Sequence, residues 1–546
     1  MFKRKQIKPT ILETILLTDG YKLDHRRQYP KGTEYVYCNF TPRSCNWYPE
    51  AKDGVVVFGI QYFIKKYLIE RFQNEFFKLP KKAVVNAFKR RLETFLGKEA
   101  ADTIGTEHIA ELHDLGYLPI VIKALPEGTL CPFGVPVLTI KNTHPDFFWL
   151  PNYLETLLST ELWLPMTSAT TARLAKKALY EHAKKTGFAN DDLGFLCHDF
   201  SMRGMSGTEA AILSGMGHVT AFNGSETLPA ICNTEEYYNA NAETEMVAGT
   251  VPATEHSVMC ANGKETEIET FKRLLTEVYP KGFVSIVSDT WDYWQVITEF
   301  LPQLKDLIMS RDGRCVIRPD SGDPVDIICG IDHEDIITWK GKNYYVWGIN
   351  TKHDAQFQEE SWKRIRKDPE FAAKHEVTDA QIKGTYECMW EIFGGTVNEN
   401  GYKVLDTHIG LIYGDSITLE KQARIYKKLE EKGFAATNLV LGFGSYTYQL
   451  KSRDSLGFAM KATWCQINGE SHDIFKSPKT DNGVKKSLKG LLQVRKVDNY
   501  ITVKDCCTPQ EEAIGALETI FEDGELIVET SLSEIRRNVN QTFITE

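Results

Sequence analysis

The stretch Cys315-Val-Ile-Arg-Pro-Asp-Ser-Gly-Asp-Pro324 is a short apolar run that stops in a charged turn. Runs of this kind read as strands buried on both faces, as in a parallel sheet, and the turn puts chemistry where the strand ends. Arg318 offers a planar fork of donors that fits phosphate oxygens, and Asp320 offers acceptors that fit two adjacent sugar hydroxyls. Gly322 lets the backbone approach a bound group. Taken alone, the segment is equally a surface turn in which Arg318 pairs with Asp320 or Asp323.

Repetition favours a site. Between about residues 194 and 445 the theme of a short β-branched or apolar run, then Gly, Asp, Ser or His, then a helical pattern, occurs seven times. The runs are Phe195-Leu-Cys-His-Asp-Phe, Val219-Thr-Ala-Phe-Asn-Gly-Ser-Glu, Met246-Val-Ala-Gly-Thr-Val, Phe283-Val-Ser-Ile-Val-Ser-Asp, Cys315-Val-Ile-Arg-Pro-Asp, Ile409-Gly-Leu-Ile-Tyr-Gly-Asp and Leu439-Val-Leu-Gly-Phe-Gly-Ser. A helix over 418–432 is expected, with Thr418 as its cap, Glu420 in the first turn, Gly433 past the end, and Leu419, Ala423, Tyr426 and Leu429 on one apolar face. This alternation predicts an α/β fold, specifically a β/α barrel whose functional groups gather at the carboxyl ends of its strands. A doubly wound open sheet is the alternative.

The barrel is expected over 161–457. Residues 1–160 and 458–546 read as one discontinuous α+β domain, with Thr33-Glu-Tyr-Val-Tyr-Cys-Asn-Phe, Leu118-Pro-Ile-Val-Ile-Lys-Ala-Leu, Gly457-Phe-Ala-Met-Lys-Ala-Thr-Trp and Ile501-Thr-Val pairing as strands. Residues 331–405 form a charged insertion, including the helical Ala355-Gln-Phe-Gln-Glu-Glu-Ser-Trp-Lys-Arg-Ile-Arg, that reads as a surface subdomain or a lid.

The 546 residues are 42% hydrophobic and 25% charged, enough for two or three well-filled cores. A net charge of −10 argues against non-specific nucleic-acid binding, which needs Lys and Arg in excess. Twelve scattered cysteines without a C-x-x-C pair suggest reduced thiols in a cytoplasmic protein rather than a zinc knuckle or disulfide framework. Glu13 interrupts the only candidate signal core, and no run reaches the roughly 18 apolar residues of a membrane span.

The strand-end residues are Asp199, Arg203, Glu226, His256, Asp289, Asp292, Arg318, Asp320 and Asp415, with Gly414, Gly442 and Gly444. Arginines for phosphate, aspartates for ribose hydroxyls or hydrated Mg²⁺, and glycines for close approach suit a phosphorylated sugar. His256 reads as a general base or as a hydrogen-bonded structural imidazole.

Eight motifs then carry a resemblance. Asp19-Gly-Tyr-Lys, His198-Asp-Phe-Ser-Met-Arg-Gly, Gly224-Ser-Glu-Thr, Val251-Pro-Ala-Thr-Glu-His-Ser, Val287-Ser-Asp-Thr, Ile317-Arg-Pro-Asp-Ser-Gly-Asp-Pro, Tyr413-Gly-Asp and Gly442-Phe-Gly-Ser-Tyr-Thr-Tyr-Gln run in the order found in the nicotinamide phosphoribosyltransferase family, which the chain resembles from about residue 18 to 490. The resemblance implies a type II phosphoribosyltransferase barrel that condenses nicotinamide with phosphoribosyl pyrophosphate, giving nicotinamide mononucleotide and pyrophosphate in NAD salvage. It also implies a homodimer with active sites at the interface, where Tyr21, Arg43, Lys476 and Lys485 cross between subunits and Asp19 lies in a matching motif. Phe200 and Tyr21 would sandwich the pyridine ring, and Arg203, Arg318 and Arg453 would hold phosphate and pyrophosphate. Asp320 would hold ribose, and Gly414, Asp415, Gly444 and Ser445 the nucleotide. Asp289 would position magnesium-bound pyrophosphate, or the pyridine nitrogen through water, and His256 would accept phosphate from stimulatory ATP.

Two positions depart from the family pattern: Glu226 replaces the common Asp that receives the amide, and Ser445 replaces a second consecutive Gly. The longer Glu makes base choice the open point, with a nicotinate or quinolinate phosphoribosyltransferase as the rival. A catalytically silent nucleotide-binding protein is the alternative from another class.

Overall fold

The computed structural model describes residues 14–188, 193–346, 355–414, 416–476, 488–498 and 500–544. Six of the seven expected runs form one parallel sheet, in the order Gly224–Ser225, Cys197–Asp199, Leu439–Phe443, Ile409–Tyr413, Cys315–Arg318 and Val284–Val287. The seventh run makes a single parallel bridge at one edge, Gly224 to Gly249, and Ala253, just beyond it, makes one at the other edge with Ser285. The fold is therefore mixed α/β, built on a parallel half-barrel sheet. Every residue of Val284–Val287 and Ile409–Tyr413 is buried, as strands covered on both faces require.

The helix Leu419–Glu431 follows its expected cap: the Thr418 hydroxyl accepts from Lys421 N at 3.2 Å, and Gly433 takes φ 74° just past the end. Its buried face is rotated from the expected one, with Gln422, Ile425, Tyr426 and Leu429 inside and Ala423 exposed. Gln422 is tolerated there because its amide donates to Ala175 O at 3.0 Å and to the Tyr426 hydroxyl at 3.3 Å.

A second, seven-stranded sheet runs Glu470–Asp473, Ala459–Ile467, Thr33–Thr41, Leu138–Asn142, Ile120–Ala124, Glu518–Glu522 and Glu525–Leu526. Three strands from the N-terminal part thus form the middle of the sheet, flanked on each side by two from the C-terminal part. The expected Ile501-Thr-Val strand is not among them. Tyr500–Cys507 pairs instead with Leu491–Val497, and this two-stranded hairpin lays Leu491, Leu492 and Cys507 against Tyr37 and Trp464. Strands only two residues apart in sequence close a short loop, which makes local pairing the cheaper one.

Residue 160 falls inside a single 32-residue helix, Glu155–Thr186. The segment from 331 onward carries its own small sheet, Ile337–Trp339, Lys342–Tyr344 and Glu376–Val377, over a satellite core of Ile337, Tyr344, Val346, Ile365 and Ala372. The expected helix appears as Ala355–Lys367. Thr385–Phe393, by contrast, belongs to the main core through Tyr386, Met389 and Phe393. Among the described residues no helix is long and apolar enough to cross a membrane.

Glu161, inside the long helix, is buried beside Tyr67 and Glu209, and its Oε2 has no hydrogen-bond partner. Burial lifts its carboxyl from 4.5 to about 7, Tyr67 opposes the rise by hydrogen bonding, and the Glu209 charge adds to it. An acid raised in the folded state stabilises while protonated, so this contribution is full below 4.5 and is lost as pH climbs through about 7. Glu161→Gln should accordingly flatten the fall in urea midpoint between about pH 5 and about pH 8 relative to wild type. Parallel profiles for the two proteins would contradict the assignment.

Candidate active site

Arg318 ends its strand with its side chain 11% exposed, Nε 3.6 Å from Asp320 Oδ2 and buried without a hydrogen-bond partner. The turn that follows is held from outside. Tyr413 OH donates to Ser321 O at 2.9 Å and Gly322 O at 3.0 Å, and Gly322 takes φ 91°. Asp323 is used structurally, accepting from Val325 N at 2.9 Å to cap the helix Pro324–Cys329. Asp320 is thus the carboxylate of this turn that faces the neighbouring strand ends.

Asp289, at the end of the adjacent strand, accepts from Asp320 N at 3.0 Å with one oxygen and lies 3.2 Å from His256 Nε2 with the other. A carboxylate only accepts, so the facing Nε2 carries a proton and Nδ1 is turned away from Asp289. The His256 ring is 48% exposed, while Asp289 is 3% exposed. This is the geometry of an oriented, accessible imidazole.

Two glycines are demanded by close approach. A Cβ on Gly414 would stand 2.6 Å from Asp320 Oδ1, and one on Gly442 would stand 2.6 Å from Phe200 Cδ2 and 2.8 Å from Gly414 Cα. The ends of four consecutive strands therefore meet through Phe200, Gly442, Gly414 and Asp320. The Phe200 ring leans on His198 at 4.9 Å and 30°.

Asp199 is fully buried, and it organises the pocket rather than lining it. It accepts from Ser201 N at 2.9 Å and Thr227 Oγ1 at 2.7 Å, and its carbonyl accepts from Glu226 N at 2.9 Å. Phe200 and Glu226 are thereby locked to one anchor. Asp292 likewise caps a helix start, accepting from Gln295 N at 3.1 Å. Glu226 Oε1 accepts from Thr250 Oγ1 and lies 3.3 Å from His198 Nε2. Partial burial would raise the Glu226 carboxyl, but contacts from His198 and Thr250, with the Arg318 charge behind them, hold it below the usual carboxylate range.

Ser445 opens the short helix Ser445–Gln449 after Gly444, and its hydroxyl covers Gly204, where a Cβ would meet it at 2.1 Å. The exposed Arg203 shares that Met202–Gly204 turn, so Arg203 and Ser445 are neighbours. Asp415 and Lys485 lie outside the described residues.

Other expected residues assemble elsewhere on the chain. Asp19, Tyr21 and Arg453 line a cleft of about 250 Å³ with Glu155, Thr156, Ser159, Thr160 and Trp163, and none of the strand-end residues lines it. Tyr21 is 62% exposed. Arg43 Nε donates to Gly457 O at 2.8 Å in the same region. Lys461, which motif reading did not single out, has its ammonium pKa lowered by desolvation first; Glu155 opposes the fall, and the charges of Arg43, Lys476 and Arg453 add to it. Sequence reading also passed over His198 and Thr250, although both lie within quoted motifs.

The fold and the strand-end constellation define an α/β phosphoribosyltransferase-type enzyme. A sequence model of the Nicotinate phosphoribosyltransferase (NAPRTase) family matches residues 195–524, and one of the Nicotinamide phosphoribosyltransferase N-terminal domain matches residues 13–122. The chain is 47% identical over 532 residues to the nicotinamide phosphoribosyltransferase of Acinetobacter baylyi, covering 96% of each protein. It is 34% identical to that of Mycoplasma pneumoniae, covering 88% of this chain and 95% of the relative. The solved nicotinate-nucleotide pyrophosphorylase of Pyrococcus furiosus shares the fold at TM-score 0.50 and 14% identity, with 100% of each chain covered. The chain belongs to the nicotinamide phosphoribosyltransferase family.

Adding a methyl at Gly442 should force Phe200 away, so Gly442→Ala should lower the denaturation midpoint by the equivalent of about 1–3 kcal/mol. Gly444→Ala is the control: φ is −84° and a Cβ there meets nothing within 4 Å, so its midpoint should stay within about 0.5 kcal/mol of wild type. Equal losses in both variants would contradict the packing described.

Proposed function

We infer that the protein condenses nicotinamide with 5-phosphoribosyl 1-pyrophosphate to nicotinamide mononucleotide and pyrophosphate, a step of NAD salvage. The observation that carries this reading is the convergence of Phe200, Glu226, Arg318, Asp320, Asp289 and His256 at neighbouring strand ends. Phe200 offers the ring face and Glu226 an anionic acceptor for the amide N–H. The same charge disfavours the carboxylate of nicotinic acid. Arg318 suits phosphate and base, and Asp320 the ribose hydroxyls.

In the reaction the bond from the anomeric carbon to pyrophosphate breaks while the pyridine nitrogen lone pair forms the new bond. No proton need move, so positioning and charge stabilisation of an oxocarbenium-like transition state dominate. Asp289 would help position the pyrophosphate, whose charge a bound Mg²⁺ would partly neutralise. His256, oriented by Asp289, accepts the γ-phosphoryl group of ATP with release of ADP, and this phosphoenzyme favours synthesis.

The reading includes closure of the parallel sheet into a β/α barrel through the bridged run around Gly249–Ala253, and one discontinuous domain built from the mixed terminal sheet. It also includes a homodimer. Asp19, Tyr21, Arg43, Arg453, Lys461 and Lys476, with the undescribed Lys485, would then complete the strand-end pocket of a second subunit. The twelve unpaired cysteines fit a reducing cytoplasm.

Incubation with phosphoribosyl pyrophosphate, Mg²⁺ and each pyridine base, with product read by mass, should give mononucleotide from nicotinamide in preference to nicotinic acid. Asp289→Asn should lower turnover at least about tenfold. His256→Ala should retain synthesis and lose its stimulation by ATP. Preference for the acid would overturn the base assignment, and undiminished ATP stimulation in His256→Ala would overturn the phosphoenzyme.

A further inference from the structure

Glu226 is one methylene longer than the aspartate usual at its position, so its carboxylate needs fixing before it can read an amide. Two groups from different strand ends supply that restraint on the same oxygen, Oε1: Thr250 Oγ1 donates to it, and His198 Nε2 lies 3.3 Å away. Among the described residues Oε2 takes no hydrogen bond. One oxygen is thus held and the other left to a ligand.

His198 is itself immobilised. Its side chain is 8% exposed, its ring leans on Phe200 at 4.9 Å, and its Nδ1 edge abuts Gly224 so closely that a Cβ there would stand 2.5 Å away. Nε2 is buried and lies 3.3 Å from Glu226 Oε1 without completing a hydrogen bond to it. Arg318 Nε is a second buried donor without a partner. Buried polar groups are rarely left so, and hydrogen bonds in a reaction site commonly tighten only when substrate arrives.

We propose that His198 is the positioning residue that sets base selectivity: its Nε2–H holds Glu226 Oε1, so that Oε2 faces and accepts the carboxamide N–H of the pyridine base. The proposal rests on the nicotinamide reading above. It assigns selectivity to a pair, His198 with Glu226, rather than to the acid alone. Glu226 without His198 keeps its charge but loses its aim, and a freely rotating carboxylate discriminates poorly between an amide and an acid.

Two variants separate donor from ring. H198F keeps an aromatic body against Phe200 and removes the N–H, whereas H198Q places an amide N–H near the Nε2 position without the ring. In H198F the KM for nicotinamide should rise about tenfold or more, and the nicotinamide-to-nicotinic-acid ratio of kcat/KM should shrink by a similar factor. The KM for phosphoribosyl pyrophosphate should move less than about threefold, as expected of a change confined to the base. H198Q should recover at least half of the lost discrimination on a logarithmic scale, and thermal unfolding of both variants checks that they fold. An unchanged ratio in H198F, equal rises in both KM values, or no recovery in H198Q would each overturn the role of His198. If the wild-type protein itself prefers nicotinic acid, the base assignment falls and this inference with it; a wild-type preference for nicotinamide with an unchanged H198F ratio overturns this inference alone.

Discussion

The buried carboxylate of Asp199 is the interaction on which the pocket depends. A fully buried charge is costly unless its lone pairs are filled, and Asp199 fills them with Ser201 N, Thr227 Oγ1 and, at 3.4 Å, Ser225 Oγ. Those partners belong to the ends of two adjacent strands and the turns that follow them. The same residue's carbonyl receives Glu226 N, so the turn carrying Phe200 and the turn carrying Glu226 share one origin. An aromatic face and an anionic acceptor are held in fixed relation without either being buried itself.

Beside this anchor stands a steric constraint. Gly414 and Gly442 let the strand ends close to within a methyl group of Asp320 and Phe200, which brings the turns carrying these two residues together. Asp289 adds the third tie, linking Asp320 N to His256. Arg318, Asp320, the pair Phe200 and Glu226, and an oriented His256 imidazole are placed with the help of three local devices on one parallel sheet. The first fixes Phe200 and Glu226, and the last orients the imidazole.

Much of this was legible in the sequence because each strand announces itself as a short apolar run, and each run ends in the residue types that parallel sheets display at their carboxyl ends. Legibility fails where a side chain's role is set by distant partners. Gln422 sits in the core with its amide N–H groups donating to Ala175 O and the Tyr426 hydroxyl, and no periodicity reports that. Asp199 looks like a ligand and is an anchor, since only the fold reveals its donors. Ile501 belongs to a local hairpin, while Glu518–Glu522, with its charged ends, completes the mixed sheet. Lys461 is one lysine among many until Arg43, Arg453 and Lys476 surround it. The cleft of Asp19, Tyr21 and Arg453 lies away from the strand ends of its own chain, and Tyr21 is expected, from the family resemblance, to act across a dimer interface.

The most direct test is a crystal structure of the protein with nicotinamide mononucleotide. The expected electron density places the pyridine ring on Phe200, the amide nitrogen within hydrogen-bond reach of Glu226, the ribose hydroxyls on Asp320 and the phosphate beside Arg203 and Ser445. A nucleotide bound with its base away from Phe200 and Glu226, or with its ribose away from Asp320, would contradict the claim that these strand ends form one substrate pocket.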